Sequence, residues 1–161
     1  MDFQQRLERA IERGQRLGDA RARAEAEKAV SEKELQRLHS QYRLELSERI
    51  ERCLRQVVDH FPGFRFETVV DGRGWGAAVS RDNLQVKPNR NSTNCYSRLE
   101  MVIRPVSPYF VLELGAKATV CNKETFNRSH YQRVTEVDPT SFIERIDNWA
   151  LEFAELYAAQ G

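Results

Sequence analysis

With 161 residues, 40% of them apolar and 30% charged, the chain has enough apolar material for one ordinary domain plus an extension. No run approaches the ~18 apolar residues of a membrane span, and the opening Met-Asp-Phe-Gln-Gln-Arg lacks an apolar signal stretch, so a cytoplasmic chain without membrane contact is expected. The net charge of +1 lacks the large excess of a strongly basic nucleic-acid module, but it is unevenly spread: Lys/Arg against Asp/Glu is 13 to 12 over residues 1–61, 11 to 7 over 62–137, and 1 to 5 over 138–161.

Residues 2–60 read as helix, rich in Glu, Arg, Gln, Ala and Leu and free of proline. Gly14 and Gly18 interrupt the pattern and Asp19 follows as an N-cap, which predicts a break near residues 14–18. Before it, Phe3, Leu7, Ile11 and Leu17 form a stripe. From Asp19 to Ser31 the segment is nearly all Arg, Glu, Lys and Ala; it is either solvated or packs Ala22, Ala26 and Ala29 against another helix. Ser31-Glu32-Lys33-Glu34 has capping-box spacing, and a proper amphipathic face follows in Leu35, Leu38, Tyr42, Leu46, Ile50, Cys53 or Leu54, Val57 and Phe61. A continuous helix from Asp19 to His60 would be about 60 Å long, against roughly 30 Å for a small domain. The expected organisation is therefore a projecting helical arm over residues 1–30 and an α+β domain over 31–161.

Phe61-Pro62-Gly63 ends the helix. Phe64, Phe66, Thr68 and Val70 alternate as a first strand, Asp71 to Gly74 turn, and Trp75, Ala77 and Val79 make a second. Arg81-Asp82-Asn83 is expected to turn again before a short strand, Leu84 to Val86, and a polar loop, Lys87 to Asn94. The longest alternation comes next: Leu99, Met101 and Ile103, then, beyond Pro105 to Pro108, Phe110, Leu112, Leu114, Ala116, Ala118 and Val120. This is a long antiparallel hairpin with one apolar face that needs a cover. Asn122-Lys123 suits a two-residue turn, and Thr125 to Val134 is the last strand. Asp138-Pro139 starts a helix whose Phe142, Ile146, Trp149, Phe153, Leu156 and Tyr157 form the strongest stripe in the chain. Losing Trp149 is expected to unfold the domain or nearly so. The fold class is α+β: long helix, antiparallel meander of five or six strands, and a C-terminal helix packed on one sheet face.

Candidate chemistry is sparse, and no catalytic residue, metal or cofactor is assigned. Gly72-Arg73-Gly74-Trp75-Gly76 has the glycines of a phosphate-covering loop, but no Walker lysine or kinase element accompanies it, so a tight turn is the simpler account. Glu100 and Glu113 on neighbouring strands could pair as acid and base, yet Arg98, Arg104 and Lys117 share their face and ion pairing explains them more simply. Cys53, Cys95 and Cys121 are odd in number and outside any CxxC, which suggests neither a disulfide framework nor a zinc module; zinc at Cys95, Cys121 and His130 is conceivable only on geometry. In a reducing cytoplasm the Asn-x-Ser/Thr triplets at Asn91 and Asn127 are chance matches.

The leading expectation is a non-catalytic interaction or adaptor protein that self-associates, or docks a partner helix, through residues 1–30. One alternative is nucleic-acid binding through a basic sheet face of Lys87, Arg90, Arg98, Arg104, Lys117 and Arg128, with Tyr96 and Tyr109 nearby. Another is a ligand pocket between sheet and terminal helix. It requires a register in which Asn127, Ser129 and Tyr131 share the face of Ala116 and Ala118; the other register turns Phe126 inward.

Overall fold

The computed structural model describes residues 2–86 and 92–160. In chain order they form α1 (Phe3–His60), β1 (Arg65–Asp71), β2 (Gly74–Val86), β3 (Ser92–Ile103), β4 (Val111–Val120), β5 (Lys123–Arg133), a short 3-10 turn (Val134–Glu136) and α2 (Pro139–Ala158). The chain divides into two compact units, Met1–Arg37 and Leu38–Gly161.

The second unit is an α+β fold. Its five strands follow one another in the order β1-β2-β3-β4-β5, every neighbour antiparallel. Alternation dictates the faces: Leu99, Met101 and Ile103 of β3 stand beside Ala118, Ala116 and Leu114 of β4, and all six are buried. From α1, steps of three and four bring His39, Leu46, Ile50, Leu54 and Val57 onto this inner face. Its cations lie along the same side, with the Arg43 guanidinium 4.3 Å from the Trp75 ring centroid and that of Arg55 4.1 Å from Phe66. The other cover is α2, which buries Phe142, Ile146, Trp149, Ala150 and Phe153. Asp138 caps it by accepting from the Thr140 N–H at 3.2 Å, and Pro139, which lacks an N–H, occupies the first turn. At one end Phe61, Phe64, Phe153 and Tyr157 stack as an aromatic cluster, with Phe64 and Tyr157 4.8 Å apart between centroids.

Four sequence expectations are corrected. The helix runs through Gly14 and Gly18 without the break near 14–18. Glycine costs a helix roughly 1 kcal/mol against alanine but keeps its N–H, so it weakens the helix without ending it. Arg81-Asp82-Asn83 does not turn, and two expected strands are one: β2 continues through these residues, paired with Ser97, Tyr96 and Cys95. The Arg81 guanidinium meanwhile donates to the Pro62 carbonyl at 3.1 Å and to the Tyr157 hydroxyl at 3.2 Å. The β4–β5 turn is Cys121-Asn122, both left-handed at φ 47° and 68°, with Val120 across from Lys123. An irregularity after Ala118 leaves Thr125 without a partner in β4, which puts Phe126, not Asn127, on the inner face. Of the polar loop expected over residues 87–94, residues 87–91 lie outside the described residues and 92–94 belong to β3.

The fourth correction concerns the thiols. Cys95 and Cys121 form a disulfide across the end of β3 and the β4–β5 turn. The Asn122 N–H donates to the Tyr96 carbonyl at 2.7 Å and the Asn122 side-chain oxygen accepts from the Tyr96 N–H at 3.1 Å, which holds the turn against the strand. The bond closes a loop with a sequence separation of 26. Reduction is expected to lower the unfolding free energy by about 3–4 kcal/mol. Urea titrations with and without reductant measure this, and coincident curves would show that the sulfurs contribute nothing.

Candidate interaction surfaces

In the unit Met1–Arg37, helix is built from residues that favour helix, and none of them is fully buried. Asp2 opens it by accepting from the Gln5 N–H at 2.9 Å. Charges at helical neighbour spacing, Glu12 before Arg16 and Glu34 before Arg37, support it from outside; the second pair is in contact at 3.1 Å. Every residue from Asp2 to Glu34 is exposed. That includes large apolar side chains: Phe3 at 75%, Leu17 at 67%, Val30 at 69%, with Leu7 and Ile11 near half. Solvated charge is ordinary on a helix, but five large apolar side chains facing water on one are not.

The outer face of the sheet is an ion-pair lattice. In register, Glu67, Ala78, Glu100, Lys117 and Asn127 form one row across the five strands. Arg98 sits between Glu67, at 2.8 Å, and Glu100, at 3.3 Å; Arg73 reaches Glu100 at 2.7 Å; Arg104 meets Glu113 at 3.3 Å. Beneath this layer Val69, Ala78 and Val102 are buried, and the Arg104 guanidinium lies against Gly115, where any side chain would displace it. Asp71 takes both the backbone N–H and the guanidinium of Arg73, and this neighbour holds its carboxyl below the usual carboxylate range. Gly72-Arg73 is thus a hairpin turn stitched by Asp71 and Arg73, and Gly74 and Gly76 already belong to β2. Glu100 and Glu113 each hold cations rather than face one another as a free pair.

The six basic residues expected to form one face are not brought together. Arg98, Arg104 and Lys117 share the outer face, Arg98 and Arg104 already engaged by carboxylates. Arg128 is on the opposite face, where it donates to Glu152 of α2 at 3.0 Å and covers Phe126. Lys87 and Arg90 lie outside the described residues. Of the five pocket residues, Ala116 and Ala118 are buried on the inner face, whereas Asn127, Ser129 and Tyr131 are exposed on the outer one. His130 lies inward against Phe142, 4.7 Å between centroids, while Cys95 and Cys121 are bonded to each other.

A cleft that sequence reasoning missed runs between α1 and α2. It encloses about 500 Å³ and is lined by Val57, Phe61, Ala150 and Leu151, with Arg49, Cys53 and Asp147 at one end. Arg49 donates to both oxygens of Asp147, at 3.1 and 2.6 Å, and the Cys53 thiol donates to the same carboxylate at 3.2 Å. The two donors hold the Asp147 carboxyl below its ordinary range. Burial, aided by that carboxylate, pushes Cys53 up to about 11. A thiol so placed is protonated at neutral pH and is not a nucleophile. At pH 8 iodoacetamide is therefore expected to alkylate Cys53 at least about tenfold more slowly in the folded chain than in urea. Equal rates would mean that Asp147 does not hold the thiol. The signal was hidden because Arg49 and Asp147 are 98 residues apart.

Two histidines make the fold pH-sensitive. Burial first, then the Arg43 charge, lowers His39, while a hydrogen bond to the Arg104 backbone works the other way. Burial and the Arg145 charge lower His130. The neutral ring is what fits, so the contribution is complete above the ordinary value of 6.5 and is lost as pH falls below it. Urea midpoints are expected to fall from pH 7 to pH 5, and less steeply in His39→Gln. A flat profile in the parent chain would refute the burial of both rings.

Among the described residues no helix is long and apolar enough to cross a membrane, and no group of three His, Cys, Asp or Glu is placed to hold a metal ion. No protein-family model matches the chain, and no significant match is found among curated proteins or solved structures.

Proposed function

We propose that this is a non-catalytic interaction protein whose arm, residues 3–37, pairs with another helix, either of a second copy or of a different protein. The observation that carries this reading is the exposure of Phe3, Leu7, Ile11 and Leu17 along one side of a helix that buries none of its side chains before Leu35. Covering one such side chain is worth up to about 1.5–3 kcal/mol, and a neighbouring helix is the surface that reaches several at once. The arm contains no cysteine, so the reading holds equally in a reducing cytoplasm and in a compartment where Cys95 and Cys121 stay bonded.

Sedimentation of the full chain beside a chain starting at Ser31 tests it. The full chain is expected to associate and the shorter one to sediment as a monomer; monomers in both cases, with nothing retained by an immobilised arm, would remove the reading. Nucleic-acid binding is the weaker alternative, since Arg98 and Arg104 must first give up Glu67, Glu100 and Glu113 to reach a phosphate. Fluorescence anisotropy at low and moderate salt distinguishes it, because phosphate contacts weaken steeply with salt.

A further inference from the structure

The partner of the arm can be argued from the arm's own charges; this step rests on the arm being the interaction surface. A seam of alternating four- and three-residue steps begins Phe3, Leu7, Ala10, Gly14, Leu17 and ends at Leu35. It is the most apolar line along the arm, and it carries two cations, Arg21 and Lys28. All of these positions up to Glu34 are exposed, and Leu35 is half-buried.

We propose that two copies of the chain pair their arms antiparallel along this seam, Phe3 of each across from Leu35 of the other. In a parallel, in-register pair every seam residue meets its own copy, so Arg21 would face Arg21 and Lys28 would face Lys28 in the least hydrated part of the contact. Glu27 would also flank Glu32, and no opposite charges would meet. Reversing one arm removes each of these conflicts. Arg21 then lies across from Leu17 and Lys28 across from Ala10, where a long cationic side chain can lay its stem on the apolar neighbour and reach water. On the flank, Arg6 meets Glu34 and Arg13 meets Glu27, and the two-fold axis makes each pair occur twice. The axis passes by Gly18 and Ala20, small residues that let the backbones approach. Sliding one arm by seven residues leaves a single kind of Arg–Glu pair in place of two. Charge therefore selects the occupant, a second copy, together with direction and register.

The test uses the full-length chain. Arg13→Glu is expected to raise the dimer dissociation constant about tenfold, by turning two attractions into two repulsions. Adding Glu27→Arg in the same chain should restore the parent value, since the swap rebuilds both pairs reversed. For direction, Phe3→Cys and Leu35→Cys chains, each also carrying Cys53→Ser, are mixed and treated with a short bis-maleimide. Cross-links between the two kinds of chain are the expected result. Phe3→Cys chains linked to one another, or a double swap no better than the single, would overturn the antiparallel pairing while leaving the arm as the contact. A full chain that stays monomeric would overturn the pairing while leaving the arm to a different protein; association that survives Ala22→Pro, which breaks the arm helix, would reject the arm reading and the pairing together.

Discussion

Phe153→Ala is expected to lower the unfolding free energy by about 3–5 kcal/mol. The ring is fully buried in α2, 6.1 Å from Phe64 and 6.3 Å from Tyr157 between centroids. Phe64 comes from the end of α1's connection to β1, so the cluster joins both helices to the edge of the sheet. Truncation removes the transfer energy of a phenyl ring and leaves a hole that the close-packed neighbours Phe64 and Tyr157 fill only in part. A domain of this size holds about 5–15 kcal/mol in all, so about a fifth or more would go. Leu151, two residues earlier and 66% exposed, is the control: Leu151→Ala should stay within about 0.5 kcal/mol. Urea midpoints decide it. Should both substitutions prove equally mild, α2 is not packed as described. Trp149, buried on the same stripe, belongs to the same class of large loss.

What could be read from the sequence follows from periodicity. Leu99 to Ile103 and Leu112 to Val120 announce their inward faces because a strand alternates strictly, and Phe142 to Phe153 announce theirs because a helix repeats every three or four residues. What could not be read depends on partners far along the chain. Arg81-Asp82-Asn83 has turn-forming residues, but pairing with β3 outweighs that local preference. The unpaired Thr125 shifts β5 by one residue, and a shift of one reverses every side chain beyond it; Asn127, Ser129 and Tyr131 face outward for that reason. The disulfide depends on where Cys121 falls relative to Cys95, which is fixed by the turn and not by spacing. Counting cations from Lys87 to Arg128 gave a basic face; alternation already set Glu100 beside Arg98, but only the register brings Glu67 there and turns Arg128 to the other face. The helical character of residues 3–34 was legible in their Arg, Glu, Lys and Ala, but their continuity through Gly14 and Gly18 was not, because a glycine weakens a helix without ending it.

Gly76→Ala is the second large loss expected, at least about 3 kcal/mol. Gly76 lies in β2 between Val69 of β1 and Val102 of β3. A Cβ built on it meets the Met101 carbonyl oxygen and comes 2.8 Å from the Val102 Cα, both of them backbone. A flexible side chain could swing aside, but a strand can yield only by breaking its ladder. Movement of β3 would carry with it Leu99, Met101 and Ile103, all fully buried, and disturb the cover of Val102 on the outer face. The cost is thus overpacking in the middle of the sheet, where no solvent boundary absorbs it. Gly72 in the preceding turn separates this from any general effect of losing a glycine, since a Cβ there has nothing within 4 Å. Gly72→Ala should change stability by no more than about 1 kcal/mol in either direction. Near-UV circular dichroism and urea unfolding of the two variants side by side give the answer: a parent-like Gly76→Ala would mean that β2 and β3 are farther apart at this point than the register requires.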